Sequence, residues 1–426
     1  MLEFFHKYKF KYIILVFILY FAFYNLFVMY ANQVEEGRYS TVSNTTAIEP
    51  ITHEGKDYYF DNSLFSIQGS YKFDNKTKDS ISLIPEEPEG NLSDRIINQM
   101  RYFHPMFKTA KNKIIFVEDD YPVNVDISMC PMKKCQFLFD LNQISKADLI
   151  LLRSFNVNPE KFLPSQIIVP FVLESPLHFD FKFRPQLLNY FNWTANYRFD
   201  ATIVTPYFKF TPYDFTDLNT KRFPYPKIDY SKNRKKHIIW FVSNCQTDNG
   251  RIELANLLGK HFQVDIYGAC GTLRCPRTME SECLAMLKNY MFYLSFENSN
   301  CRHYITEKLF KNALNSSIVP IVFGAPPEDY KLVAPPHSYI HVEDFANLTM
   351  LVGYLKYLME NGTAYNEYFS WKAYGTVDTN TFFWCRLCTM VHYADLAKPS
   401  VASHAHEWWN KNHSCVRKSW NIQSYW

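Results

Sequence analysis

The chain has 426 residues, long enough for two domains with sizeable cores, and its 47% hydrophobic content is that of a globular protein and not of a disordered one. Its 45 basic residues outnumber 42 acidic ones by only three, so nothing in the balance points to a polyanion as the main partner, although a local basic pocket remains compatible with it. A Gly-rich phosphate loop and an H-E-x-x-H zinc signature are both missing from the sequence.

Residues 1–12 carry Lys7, Lys9 and Lys11 and lead into an apolar, aromatic run at 13–30 that only Asn25 interrupts. Those 18 residues just suffice for a membrane-spanning helix, which takes roughly 17 to 25. A cleaved signal peptide is the competing reading, but its apolar core is usually about 7 to 15 residues and ends in small residues. Here the run ends in Phe27, Val28, Met29 and Tyr30. We therefore expect a cytoplasmic tail (1–12) and an uncleaved signal anchor (13–30). The positive flank before the span and Glu35 and Glu36 after it set the rest of the chain in the secretory lumen, a single-pass type II topology. Glycosylation sequons at Asn44, Asn75, Asn91, Asn192, Asn347, Asn361 and Asn412 fit that side of the membrane. An eighth, at Asn315, is expected to be buried at a helix end.

Residues 31–105 hold three of these sequons and a Pro-Glu stretch at 85–90, without a long periodic apolar pattern, and read as a stem. From 106 to 225 short apolar runs recur at 114–117, 137–141, 147–152, 167–173 and 201–205, the strands of a first α/β domain. A basic connector with Pro224 and Pro226 marks the boundary. Between 226 and 390 strand patterns (237–242, 264–267, 292–296, 318–323, 339–342) alternate with helical ones (252–261, 283–289, 346–359), which predicts a second domain built on a mainly parallel sheet. Residues 391–426 form a C-terminal extension. The expected fold class is α/β, two Rossmann-like domains facing a cleft.

All ten cysteines lie beyond the span, an even number on the oxidising side, and read as disulfides. Spacing alone does not fix the connectivity. One arrangement ties Cys130 and Cys135 to Cys385 and Cys388, stapling the end of the chain to its start. Zinc is the alternative use of such close pairs.

In open α/β sheets ligands bind where strands end and helices begin. At 291–324 that mouth carries Glu297, Asn298, Tyr304, Glu307 and Lys308. Thr306 can cap a helix starting at Glu307, whose N-terminus and Lys308 suit an anionic ligand. Arg251, directly after a strand and a polar turn, is expected to bring a second cation for a diphosphate. Each of these is also an ordinary helix-start residue. In the first domain the run 167–173 ends at Glu174-Ser175-Pro176. A carboxylate at such a place suits a general base, since partial desolvation raises a carboxyl pKa. Asp119-Asp120 lacks the spaced D-x-D of a metal site and reads as a turn.

The stretch FENSNCRHYITEKLFKNAL followed by VPIVFG resembles the signature of the α1,3-fucosyltransferases. VLESP (172–176), FNWTANYRFDA (191–201), WFVSNCQTDNGR (240–251), YIHVEDF (339–345) and WCRLC (384–388) are similar to further blocks of that family, in the family's order, over roughly 110–390. The resemblance implies a GT-B-type fold, GDP-fucose as donor held by the second domain, and an N-acetylglucosamine-containing glycan as acceptor. It also implies a Golgi membrane enzyme of type II topology. By motif, Glu174 matches the family's catalytic base, and Arg251, Asn298, Tyr304, Glu307 and Lys308 match donor-binding positions, with Glu307 alternatively facing the fucosyl carbon. The WCRLC cysteines match a pair that the family bridges to its N-terminal domain. No tightly bound cofactor is implied, only stimulation by Mn2+ or another divalent cation through screening of the diphosphate. The extra cysteines, 270, 275, 283 and Cys301 before Tyr304, look more like invertebrate, especially nematode, members. The competing readings are a related glycosyltransferase with another donor and a silent, membrane-anchored glycan-binding protein. The sequence leaves the acceptor open between core and antennal sites.

Overall fold

The computed structural model describes residues 83–84, 95–120, 123–179, 181, 185–212, 228–373, 375–397, 409 and 414–417. The expected anchor at 13–30, most of the stem, the connector at 221–227 and the sequons at Asn44, Asn75, Asn91 and Asn412 lie outside them. Among the described residues no helix is long and apolar enough to cross a membrane.

The first half is a six-stranded parallel sheet of β1 (Lys113–Glu118), β2 (Cys135–Leu138), β3 (Leu149–Leu152), β4 (Ile167–Val172), β5 (Ala195–Asn196) and β6 (Ile203–Val204), ordered β2-β1-β3-β4-β5-β6. β3 is buried on both faces, which is why its sequence is an unbroken LILL. β7 (Lys209–Pro212) leads out of this half.

The second sheet is also parallel. Its strands are β8 (Lys236–Phe241), β9 (Val264–Tyr267), β10 (Tyr290–Phe296), then, after the short β11 (Asn300–Cys301), β12 (Val319–Phe323) and β13 (Ile340–His341). Their order is β13-β12-β10-β8-β9, with the fully buried β10 in the centre. The helix Leu348–Glu360 covers one face with Leu351, Leu355 and Leu358, a helical spacing, and the Asn347 side chain caps it by accepting from Met350 N at 3.0 Å. β14 (Gly375–Asp378) then pairs antiparallel with β7, and β15 (Cys415–Val416) with β11.

Chain order and packing part company after β14. The helix Phe383–Tyr393, assigned by sequence to the second domain, sets Leu387, Met390 and Val391 against Ile115, Val117 and Leu149 of the first sheet. Its Arg386 is fully buried, donating to Val204 O at 2.7 Å and Thr381 O at 2.8 Å. Residues 95–105, expected in the stem, are likewise part of the folded body: the helix Arg95–Arg101 buries Gln99 and Met100, and Gln99 donates to Thr202 O at 2.7 Å.

The staple forms as Cys130–Cys385 and Cys135–Cys388, closing sequence separations of 255 and 253 residues. The other six cysteines pair as Cys245–Cys270, Cys275–Cys283 and Cys301–Cys415. The one grouping of metal-type side chains among the described residues is Cys135, Cys388 and His392, and its two sulfurs are bonded to each other. These residues do not make a ligand set for a resident cation.

Of the sequons, Asn347 is exposed and Asn192 and Asn361 are partly so. Asn361 Nδ2 donates to Tyr357 Oη at 3.0 Å. Asn315, expected to be buried, is exposed, because the turn after Leu314 carries it outward.

Candidate active site

Two buried strands, β4 and β10, each run out into a glutamate and a polar turn, and the two turns touch. Ser175 Oγ and Ser299 Oγ lie 2.7 Å apart, buried, joining the Glu-Ser-Pro turn of the first half to the Glu-Asn-Ser turn of the second. Glu174 is partly exposed. Its Oε1 accepts from Tyr304 Oη at 2.6 Å, from Ser175 N at 2.9 Å and, more weakly, from Asn298 Nδ2 at 3.3 Å. Its Oε2 accepts no hydrogen bond among the described residues. Burial pushes the Tyr304 hydroxyl well above the ordinary tyrosine range, so it remains a donor to the carboxylate. Tyr207 Oη fixes the strand just before Glu174 by donating to Leu173 O at 2.6 Å, and Asn196 Nδ2 does the same at Val172 O, 2.7 Å away.

Glu297 is fully buried, and each of its oxygens is engaged. Thr306 N donates to Oε1 at 2.8 Å, Thr306 Oγ1 to both oxygens, and Lys308 Nζ to Oε2 at 3.0 Å. Burial raises the Glu297 carboxyl, and Lys308 opposes that. Lys308 Nζ also donates to Thr306 Oγ1 at 2.7 Å and to Glu307 Oε1 at 3.3 Å. Burial works against its charge, but Glu297 and Glu307 outweigh it and hold the ammonium above its ordinary range. For Glu307 burial is again opposed by Lys308, and its carboxyl lies below the ordinary range with about half of the side chain exposed. Gly324 closes this seat: a Cβ there would stand 2.7 Å from Glu297 Cβ.

Two expectations change. Thr306 does not cap the helix with its side chain: its hydroxyl donates to the buried Glu297 carboxylate, and its oxygen accepts from Lys308 Nζ at 2.7 Å instead of from a helix N–H. The helix itself is one turn, Glu307–Leu309, passing into a π turn, Phe310–Leu314, and so has little dipole to offer. Arg251 opens the helix Arg251–Gly259 as expected, yet its guanidinium is buried under the turn and not presented openly. Its Nη1 donates to Phe296 O at 3.1 Å and its Nη2 to Asn244 O, over the face of Trp240. Burial lowers its pKa, with Glu297 opposing. Arg251 Nε, Asn249 Oδ1 and Asn298 Oδ1 are buried polar atoms without a hydrogen-bond partner among the described residues. All three lie on segments meeting the end of β10, Asn249 also donating to Glu297 O at 2.9 Å. Buried polar atoms are seldom left unpaired without a functional reason.

The structure thus brings Glu174, Asn298 and Tyr304 into direct contact and sets Glu307 and Lys308 one turn away, with Arg251 beneath. Sequence reasoning placed Glu297 in the mouth without foreseeing that its carboxylate is locked, and missed Asn249 and Tyr207. Only Glu297 carried a local signal, its position at the end of an apolar strand run. Asp119 and Asp120 are turn residues, paired with Arg153 at 2.6 Å and Asn156 at 3.0 Å.

Residues 109–208 match the family profile "Fucosyltransferase, N-terminal" and residues 231–408 match "Glycosyltransferase family 10 (fucosyltransferase) C-term". The chain is 38% identical over 385 residues to glycoprotein 3-alpha-L-fucosyltransferase A of Drosophila melanogaster, covering 86% of this chain and 75% of the relative. To alpha-(1,3)-fucosyltransferase fut-1 of Caenorhabditis elegans it is 36% identical, over 57% of this chain and 54% of that one. A crystal structure of an alpha1,3-fucosyltransferase is similar at 19% identity and a TM-score of 0.41, covering 62% of this chain and 81% of that one. By its match to the Drosophila relative over most of both lengths, the chain belongs to glycosyltransferase family 10, the fucosyltransferases.

Proposed function

We propose that this glycosyltransferase moves L-fucose from GDP-fucose to the 3-hydroxyl of N-acetylglucosamine in glycoprotein glycans, with inversion, across two Rossmann-like halves of a GT-B-type fold. The observation that carries the mechanism is Glu174: one oxygen held by the second half's Tyr304 and Asn298, the other unengaged among the described residues. Oε2 takes the proton of the acceptor 3-hydroxyl as that oxygen attacks the fucosyl C1. The C1–O bond to the β-phosphate breaks, its electron pair leaves with GDP, and β-linked fucose becomes an α1,3-fucoside. A phosphate leaving group needs no acid, so one carboxylate suffices.

In this reading Lys308 and the unpaired Nε of Arg251 meet the charge that develops on the diphosphate, and the orphaned oxygens of Asn249 and Asn298 receive hydroxyls or N–H groups of the nucleotide. Glu307, at the rim, faces the ribose diol or the fucosyl carbon. A divalent cation would act by screening the diphosphate, so chelation should slow transfer without abolishing it. The reading also includes a type II Golgi membrane protein with its catalytic part lumenal, supported by the pattern at 1–30 and the sequons. Protease protection of sealed membranes tests that orientation.

The deciding experiment gives the purified full-length chain GDP-fucose against GDP-mannose and UDP-sugars with a panel of defined glycans, and locates products by mass spectrometry. Transfer from GDP-fucose to a 3-hydroxyl is expected. Preference for another donor, or binding without turnover, would sink the proposal.

A further inference from the structure

The loop that supplies both partners of Glu174 is tied to the far end of the chain. Cys301 sits between Asn298 and Tyr304, is fully buried, and is bonded to Cys415. The tie is also a small antiparallel ladder, β11 on β15, with Asn300 opposite Val416 and Cys301 opposite Cys415, extended by Arg302 N donating to Ser414 O at 2.7 Å. Just beyond, His303 holds a left-handed backbone (φ 62°), a conformation that a non-glycine residue keeps only where its surroundings impose it. Its N–H donates to Asp329, which also receives Arg302.

The same C-terminal segment grips the other side of the contact. Trp409, nearly fully buried, donates from Nε1 to Phe179 O at 2.9 Å, and its ring meets Phe181 at 6.3 Å and Tyr197 at 6.4 Å. Phe179 comes five residues after Glu174, and Phe179 N bonds back to Ser175 O at 2.8 Å. Tyr197 in turn packs on Tyr304, ring centroids 5.1 Å apart. The Tyr304–Glu174 hydrogen bond therefore lies between two anchors of one segment, a disulfide on the tyrosine side and an indole on the glutamate side.

We propose that Trp409 and the Cys301–Cys415 bridge are positioning residues for transfer, holding the two turns in register so that Glu174 is aimed at the acceptor hydroxyl. The inference rests on Glu174 being the base. Misplacing a catalytic group by 1 Å can cost about 100-fold in rate, and a 2.6 Å contact between separate segments tolerates little slack.

Disulfide mapping of the full-length chain should recover Cys301 joined to Cys415; either cysteine in another pair overturns the proposal. Kinetics on Cys301→Ser/Cys415→Ser and on Trp409→Ala should show kcat lowered roughly 10- to 100-fold per folded molecule, with the Kd for GDP within about threefold of the parent. Trp409→Phe, which keeps a ring against Tyr197 and Phe181, should regain most of the loss. If the serine pair does not fold, the two Trp409 variants give the same readout with every cysteine in place. Wild-type kcat in variants whose Tm has dropped would mean a merely structural tie and overturn the inference, as would parallel loss of kcat and GDP binding. Glu174→Gln separates the two readings. If it retains transfer, the base assignment fails and this inference with it; if it is inactive while the strap variants turn over normally, only this inference fails.

Discussion

Glu174 and Glu297 occupy similar places in their halves, two residues and one residue past the end of a buried parallel strand, and they have opposite fates. Glu297 has no exposure, each oxygen engaged, and a lysine at 3.0 Å. Glu174 is partly exposed, with one oxygen held and the other accepting no hydrogen bond among the described residues. The loop at the end of each strand makes the difference. After β10 the chain returns to lay Thr306, nine residues on, and Lys308, eleven residues on, against Glu297. After β4 it offers only the adjacent Ser175 N–H, and the remaining donors come from the other half. A strand-end carboxylate closed by its own loop becomes scaffold; one closed from across the molecule can become a reagent.

Neutralising each glutamate tests this contrast directly. Glu174→Gln should lower kcat by about 100- to 10,000-fold, the range for a lost general base, with GDP affinity nearly unchanged in calorimetry. Combined loss of turnover and GDP binding would make Glu174 a donor ligand instead. Glu297→Gln should act mainly on stability, costing roughly 3 kcal/mol because it leaves Lys308 in a buried site with only the rim carboxylate of Glu307. Denaturant unfolding measures it. An unchanged midpoint with transfer abolished would exchange the roles assigned to the two carboxylates.

Tyr304→Phe sharpens the contact between the halves. A hydrogen bond to a charged group is worth about 1.5 kcal/mol or more, so kcat should fall about 10-fold. If Tyr304 serves the donor chiefly, the KM for GDP-fucose rises instead and kcat holds.

The strands at the heart of both sheets were legible because each is an apolar run bounded by polar turns, as at 149–152, 290–296 and 319–323. Glu174 was legible for the same reason. The helix Phe383–Tyr393 was not, since nothing in FWCRLCTMVHY says that it packs against strands β1 and β3, more than 200 residues earlier. The tie between the two cysteine pairs that pins it there was foreseen, though not which cysteine joins which, and that makes its return to the first half intelligible afterwards. Arg251 was placed correctly at a helix start, but the direction of a guanidinium depends on which backbone carbonyls are nearby, and Phe296 O belongs to a strand 45 residues on. Thr306 illustrates competition: a capping residue is legible, but the lysine that takes its oxygen and the buried carboxylate that takes its proton are not.

The smallest effect concerns the seat of Glu297 and how acid reaches it. Gly324 stands behind this carboxylate, and His341 on β13 holds the carbonyl of the next residue, Ala325, with Nε2 at 3.1 Å while its Nδ1 accepts from Glu343 N at 3.0 Å. That pattern needs a neutral ring with the proton on Nε2. Burial pulls its pKa down to about 4 from an ordinary value of 6.5. Between those values the unfolded chain binds more protons than the folded one, so stability falls as pH falls through that window and this group adds nothing further below about pH 4. The contribution should be on the order of 1 kcal/mol between pH 7 and pH 5. His341→Gln, which can keep a donor and an acceptor in place without titrating, should flatten the pH dependence of the urea midpoint by that amount. An equal slope in both proteins would show that the scaffold side does not depend on His341 neutrality.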